Sequence, residues 1–152
     1  MEWEKVTIQK MDIQDLDEVM CIESSYSVAP WSKSMFVEEM RNPFACCFVM
    51  KIEDQPGKRV IGFICFRNVA EESELLKICV HSDYRKLGAG KRLMEFYVEF
   101  SRRRGIKTFH LEVHSLNDSA IRLYRIFSYE ASGMRKKFYQ GRFDALLMTK
   151  RV

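Results

Sequence analysis

Apolar and polar positions divide the chain into short segments with two different periods. Val6 and Ile8 alternate with polar neighbours, which predicts a short first strand. Asp12 is placed to cap a helix whose Ile13, Leu16, Val19 and Met20 share one side. Tyr26 to Pro30 reads as a break, after which Ser32 caps a second short helix through Met40, ending before Pro43. Phe44 to Ile52 and Val60 to Phe66 are apolar strand segments joined by the turn sequence Asp54-Gln55-Pro56-Gly57. Leu75, Leu76, Ile78, Cys79 and Val80 form a nearly continuous apolar run, the pattern of a strand buried on both faces. Only polar residues, Asn68 to Ser73, separate it from the strand before, so this half of the chain is an antiparallel meander.

The period then changes. Leu93, Phe96, Tyr97 and Phe100 repeat at helical spacing, so a helix begins near Ala89. Arg102-Arg103-Arg104 and Gly105 place cations and then glycine at its C-terminus, a capping and solvated feature rather than a nucleic-acid patch. Ile106 to His114 is the next strand, followed by a helix over about Asn117 to Phe127 and two strands around Glu130–Tyr139 and Phe143–Thr149. Strand–helix–strand from Glu74 to His114 is a βαβ unit, which requires a parallel pair and a right-handed crossover. The expected fold is α/β: a single domain over residues 1–152 with a mixed central sheet, antiparallel at first and parallel at the Glu74 strand, flanked by helices.

Composition narrows the class without choosing a function. A chain of 152 residues, 47% apolar and 30% charged, suits one soluble core. It has no apolar stretch of the roughly 18 residues a membrane span needs, and its N-terminus, MEWEKVTIQK, lacks a secretory signal's apolar core. Five cysteines without C-x-x-C spacing read as thiols, and Cys46, Cys47, Cys65 and Cys79 fall inside strand-like runs. That usage suggests a reducing cytoplasm. The net charge of +4 mildly favours anionic partners.

Candidate chemistry gathers at two places. Between the Glu74 strand and the Ala89 helix stand Gly88 and Gly90, where the first helical N–H groups lack partners and the helix dipole is positive. With Arg85, Lys86 and Lys91 beside them, these amides suit a phosphate or pyrophosphate, although a glycine pair is equally a turn device. The spacing matches neither a dinucleotide fingerprint nor a P-loop. In the Ile106 strand, Phe109, Leu111 and Val113 face one way and His110, Glu112 and His114 the other. With helices over both faces, two histidines and a carboxylate there call for a cleft. Residues two apart on a strand rarely converge as metal ligands, which leaves a base ahead of zinc. On the following helix Asn117, Ala120, Ile121 and Tyr124 share a side. Pattern alone leaves Asn117 as an N-cap and Tyr124 as a core ring.

Arg85-Lys86-Leu87-Gly88-Ala89-Gly90 resembles the Arg/Gln-x-x-Gly-x-Gly/Ala motif of the GNAT acyltransferases, preceded by the strand that family requires. Leu111-Glu112-Val113-His114-Ser115-Leu116-Asn117 followed by Ala120-Ile121-Arg122-Leu123-Tyr124, with Ala29-Pro30-Trp31-Ser32, Phe36 and Asp144-Ala145-Leu146-Leu147-Met148, resembles that family's N-terminal alanine acetyltransferases of ribosomal proteins. The resemblance covers nearly the whole chain. It implies the GNAT fold, acetyl-coenzyme A as cosubstrate, no metal, and Glu112 as general base with Tyr124 as general acid. Backbone groups of Ile78, Cys79 and Val80 would bind the pantetheine arm. Arg85, Lys86, Leu87, Gly88, Ala89, Gly90 and Lys91 would hold the pyrophosphate, and Asn117 would also touch the cofactor. The implied acceptor is a protein N-terminus, that of a ribosomal protein, in a cytoplasmic monomer or weak dimer that binds neither nucleic acid nor membrane directly. A GNAT acting on broader N-termini or a small amine, and a coenzyme A-binding module without turnover, are the alternatives. Ser128-Tyr129 departs from the family's Gly-Phe, and Phe143 stands where an acidic residue is usual.

Overall fold

The computed structural model describes residues 1–27, 29–139 and 141–152. Among them, four α-helices pack on one seven-stranded sheet. The strands are β1 (Val6–Lys10), β2 (Ala45–Asp54), β3 (Gly57–Val69), β4 (Glu72–Val80), β5 (Thr108–His114), β6 (Glu130–Tyr139) and β7 (Phe143–Arg151), in the order β1-β2-β3-β4-β5-β7-β6. The helices are α1 (Leu16–Tyr26), α2 (Lys33–Arg41), α3 (Ala89–Arg102) and α4 (Asp118–Ile126). The meander is present as β1 to β4, and β4 pairs with β5 in parallel as the βαβ pattern requires. All other neighbours are antiparallel.

Boundaries follow the capping chemistry. Asp12 caps a 3₁₀ turn, Ile13–Asp15, rather than the helix itself: Asp12 and Asp15 form a reciprocal capping box and α1 starts one residue later. Ile13 consequently faces solvent. Ser32 caps α2 by accepting from Met35 N–H at 3.3 Å. The break expected at Tyr26–Pro30 begins where α1 ends; its Val28 lies outside the described residues.

The strand buried on both faces is β3, not β4. Along Val60–Phe66, Val60, Phe63 and Cys65 enter the core under α1 and α2, while Ile61, Ile64 and Phe66 enter the core under α3 and α4. On β4 only Ser73 and Leu75 are buried, and Leu76 to Val80 are half-exposed. The cause is the sheet register. β4 pairs with β5 only from Glu72–Leu75 to Thr108–Leu111, and then the strands part. A register shift marks the parting: Phe66 faces Leu75 and Cys65 faces Lys77, so Leu76 is the extra residue of a bulge. Nor are both faces of β5 covered. Phe109, Leu111 and Val113 are buried against α3 and α4, but α1 and α2 lie over β2 to β4, leaving His110, Glu112 and His114 half-exposed.

Candidate active site

Past the parting, β4 ends at Val80 and the chain turns through Ser82–Tyr84 into a loop with two left-handed residues, Lys86 (φ 59°) and Gly88 (φ 94°). Gly88 is the N-cap of α3, and the first helical hydrogen bond runs from Arg92 N–H to Gly88 C=O at 3.0 Å. The amides of Ala89, Gly90 and Lys91 therefore precede the helical ladder and lack partners within it. Arg85 is held from two sides: its Nε donates to Val80 C=O at 3.2 Å and its guanidinium stacks 3.9 Å from the Tyr26 ring centroid. This clamps the end of α1 to the loop.

A cavity of about 550 Å³ joins this loop to α4. It is lined by Ile78, Cys79, Val80, Arg85, Lys86, Gly88, Ala89, Gly90, Lys91, Asn117 and Tyr124, all singled out in the sequence. Leu87 is not among them; it points outward, 47% exposed, because the positive φ values on either side of it turn the loop over at that residue. The structure adds Tyr26, Tyr84, Ser119, Ala120 and Leu123 to the lining. Asn117 does cap α4, its Oδ1 accepting from Ala120 N–H at 3.2 Å, and it also lines the cavity. Tyr124 is buried at the inner end, and burial pushes its phenol well above the ordinary tyrosine range. Cys79, on the same wall, is pushed up to about 12 by burial and by the nearby Glu23 carboxylate.

Glu112 does not line this cavity. It is the first β5 residue beyond the parting, on the opposite sheet face from Tyr124. Its carboxylate is held by Arg135 of β6 (Oε1 to Nη2, 2.8 Å) rather than by either histidine. His110 instead bridges Glu72 (3.0 Å) and Thr149 (3.3 Å). His114 accepts from Leu116 N–H at 3.1 Å and packs between the rings of Tyr139 and Phe143. Among the described residues no three His, Cys, Asp or Glu side chains are grouped as metal ligands.

Sequence reasoning missed one constellation on the Glu112 face. Glu23 of α1 is fully buried and pairs with Lys77 of β4 (2.9 Å) while accepting from Trp31 N–H at 3.0 Å. Lys77 also donates to Ser27 Oγ and Ala29 C=O, both at 2.9 Å. A lysine inside an apolar strand was the available signal, since a buried charge requires a partner. The pair ties β4 to α1 and to the α1–α2 connection.

A loop of unpaired amides and cations, a strand with a free inner edge and a buried phenol suit an extended anionic ligand entering from the α3–α4 side. Comparison with known proteins agrees. The acetyltransferase (GNAT) family model matches residues 16–129. A ribosomal protein bS18-alanine N-acetyltransferase of Escherichia coli is 28% identical over 145 residues, covering 93% of this chain and 95% of that protein. The protein of the same name from Salmonella typhimurium is 28% identical with the same coverage. The crystal structure of the Escherichia coli enzyme superposes with a TM-score of 0.85 at 29% identity, covering 97% of this chain and 94% of that one.

Proposed function

The chain belongs to the GNAT acetyltransferase family, and we propose that it acetylates the N-terminal α-amine of a protein, with the N-terminal alanine of ribosomal protein bS18 as first candidate. Acetyl-coenzyme A supplies the acetyl group as a thioester. One observation carries the chemistry: the phosphate loop, the free edge of Ile78–Val80 and Tyr124 line one cavity, and Glu112 stands where β4 and β5 part. The end-to-end likeness to the bS18-alanine N-acetyltransferases supports the acceptor.

In this reading the amides of Ala89 to Lys91 and the side chains of Lys86 and Lys91 hold the pyrophosphate. A peptide α-amine has a pKa of about 7.7–8.0, so part of it arrives protonated at neutral pH. Glu112 takes that proton, directly or through a water, as the amine attacks. Tyr124, kept neutral by burial, returns a proton to the departing sulfur. A thiol raised to about 12 is a poor nucleophile, so Cys79 forms no acyl-enzyme and transfer is direct.

The test is a transfer assay on a peptide panel, with pH profiles of wild type and Glu112→Gln. An alanine-initiated bS18 peptide should be acetylated, and its N-terminally blocked form and small amines should not. Glu112→Gln should lose rate near pH 7 and recover part of it at higher pH, where more amine arrives deprotonated. Superimposable profiles would end Glu112's role as base. A variant that raises only the acceptor KM would assign it to electrostatic binding, in competition with Arg135. Coenzyme A binding without transfer to any peptide would sink the enzymatic reading.

A further inference from the structure

A second cavity, of about 430 Å³, lies at the other end of the sheet. Here β1 stops at Lys10, opposite Phe48; Met11 N–H still donates to Cys47 C=O at 2.9 Å, and beyond it β2 is paired on its β3 side only, through Cys46 and Ala45. Lys10, Arg41, Cys46 and Cys47 are among its lining residues, and no carboxylate is. The catalytic reading uses none of them.

Cys47 stands directly opposite Cys65 in the β2–β3 register, and both belong to the core under α1 and α2. Directly opposed antiparallel residues have Cα atoms about 4.5–5.5 Å apart, inside the roughly 4.4–6.8 Å that a disulfide spans. Alternation sends Cys46 to the other sheet face, opposite Phe66, where it has no second thiol. We infer that Cys47 and Cys65 form a thiol–disulfide exchange site for small disulfides reaching Cys47 through this cavity, Cys47 attacking and Cys65 resolving.

Access assigns the order. Cys47 is among the residues lining the cavity, whereas Cys65 is fully buried and is not among them. Its closeness to Cys47 and its burial push the Cys65 thiol well up, which disfavours it as the attacking group. With glutathione disulfide as reagent, the Cys47 thiolate attacks one sulfur, forming a mixed disulfide. One glutathione thiolate leaves and takes a proton from water. Cys65 then gives its proton to solvent and attacks the Cys47 sulfur, expelling the second glutathione. Two protein thiols lose two electrons and one glutathione disulfide becomes two glutathiones. The high Cys65 pKa makes the second step the slower, so the mixed disulfide precedes the internal bond.

The fully reduced protein is incubated with glutathione disulfide, quenched by alkylation and mapped by non-reducing peptide mass spectrometry. A peptide linking Cys47 to Cys65 is expected, formed through a glutathionylated Cys47 at a rate first order in glutathione disulfide. In Cys65→Ala the reaction should stop at the mixed disulfide on Cys47. The Cys21→Ser/Cys46→Ala variant should still form the link. Should Cys65→Ala fail to fold, the wild-type map and its concentration dependence decide alone. The inference is overturned if Cys47 and Cys65 stay free while Cys21 and Cys46 are modified. It is equally overturned if the mixed disulfide on Cys47 persists with Cys65 present, or if the rate is independent of glutathione disulfide and equals that of global unfolding.

Discussion

Replacing Gly88 and Gly90 separately should perturb opposite properties. Gly88 holds φ 94°, and a Cβ there would meet nothing nearer than Trp3 at 3.6 Å. Space is available, so the penalty of Gly88→Ala is backbone strain, about 1–2 kcal/mol for a left-handed L-residue. Gly90 lies in the first turn of α3 with no left-handed φ, and its Cβ would touch only the flexible tip of Leu123 at 3.4 Å. Gly90→Ala should therefore stabilise the unliganded protein by up to about 0.5–1 kcal/mol through reduced chain entropy. For a chain of this size 1 kcal/mol moves Tm by roughly 2–4 °C, so the two variants should lie on opposite sides of wild type. The ligand arm reads the other quantity. Saturating acetyl-coenzyme A at about 100 times its Kd should add about 2.7 kcal/mol to the wild type. Gly88→Val and Gly90→Val should both lose most of that increment if the amides of Ala89 to Lys91 receive the pyrophosphate as proposed, because a branched Cβ would stand over them. Scanning calorimetry with and without acetyl-coenzyme A measures both. A native Tm for Gly88→Ala would refute the strain argument, and an intact ligand increment in both valine variants would remove the phosphate from this loop.

Tyr124→Phe should keep fold and coenzyme A affinity while lowering turnover by roughly 10²-fold or more; steady-state kinetics with calorimetric binding checks both, and unchanged turnover would make Tyr124 a core ring. Ser128 holds φ 69° just past the end of α4, a left-handed position that glycine adopts without strain, so Ser128→Gly should raise stability by up to about 1 kcal/mol in denaturant unfolding at unchanged m-value. The Tyr129 hydroxyl is buried without a hydrogen-bond partner among the described residues, so Tyr129→Phe should be neutral or stabilising by about 1 kcal/mol; a loss of stability would show that the hydroxyl is satisfied, by water or by the nearby Tyr97 hydroxyl.

Order and type of the elements, with the antiparallel pairing of β1 to β4, were legible because each segment carries one period and each junction carries a turn or cap residue; the placing of β7 between β5 and β6 was not. The parallel β4–β5 pair followed from a helix lying between two strands. The parting of that pair was not legible, because the apolar run Leu75–Val80 has the same composition whether it faces a neighbouring strand or a cleft. Lys77 was the one residue that broke the run, and its partner Glu23 lies far away in sequence on α1. Most residues of the Arg85–Lys91 loop line one cavity, and the sequence could group them because they are contiguous. The Glu112 environment could not, because Arg135 reaches it from the sheet's edge strand and edge-strand cations are usually solvated. Leu87 was included because it lies inside the motif that the resemblance carried over, and a motif carries no information about where a side chain points in a loop of left-handed residues.

The geometry also explains why the proposed acid and base are separated. Tyr124 belongs to the core under α3 and α4, whereas Glu112 is on the sheet face those helices do not touch. A continuous β4–β5 ladder would seal one from the other. Each parting strand keeps its outer partner: β4 stays paired with β3 through Val80, and β5 with β7 through His114. Only the inner edges lose hydrogen bonds, so the opening is obtained without unravelling the sheet. Backbone groups left in such a cleft require partners, and Arg85 already supplies one to Val80 C=O. The remaining inner-edge groups of Ile78 to Val80 are then available to an extended amide-bearing ligand, which would complete the ladder that β5 abandons. The Leu76 bulge bends β4 where the strands part, and the Lys77–Glu23 pair fixes the strand to α1 just beyond that point. On this argument the buried ion pair acts by position more than by stability, since such pairs contribute little net free energy over a well-packed apolar replacement.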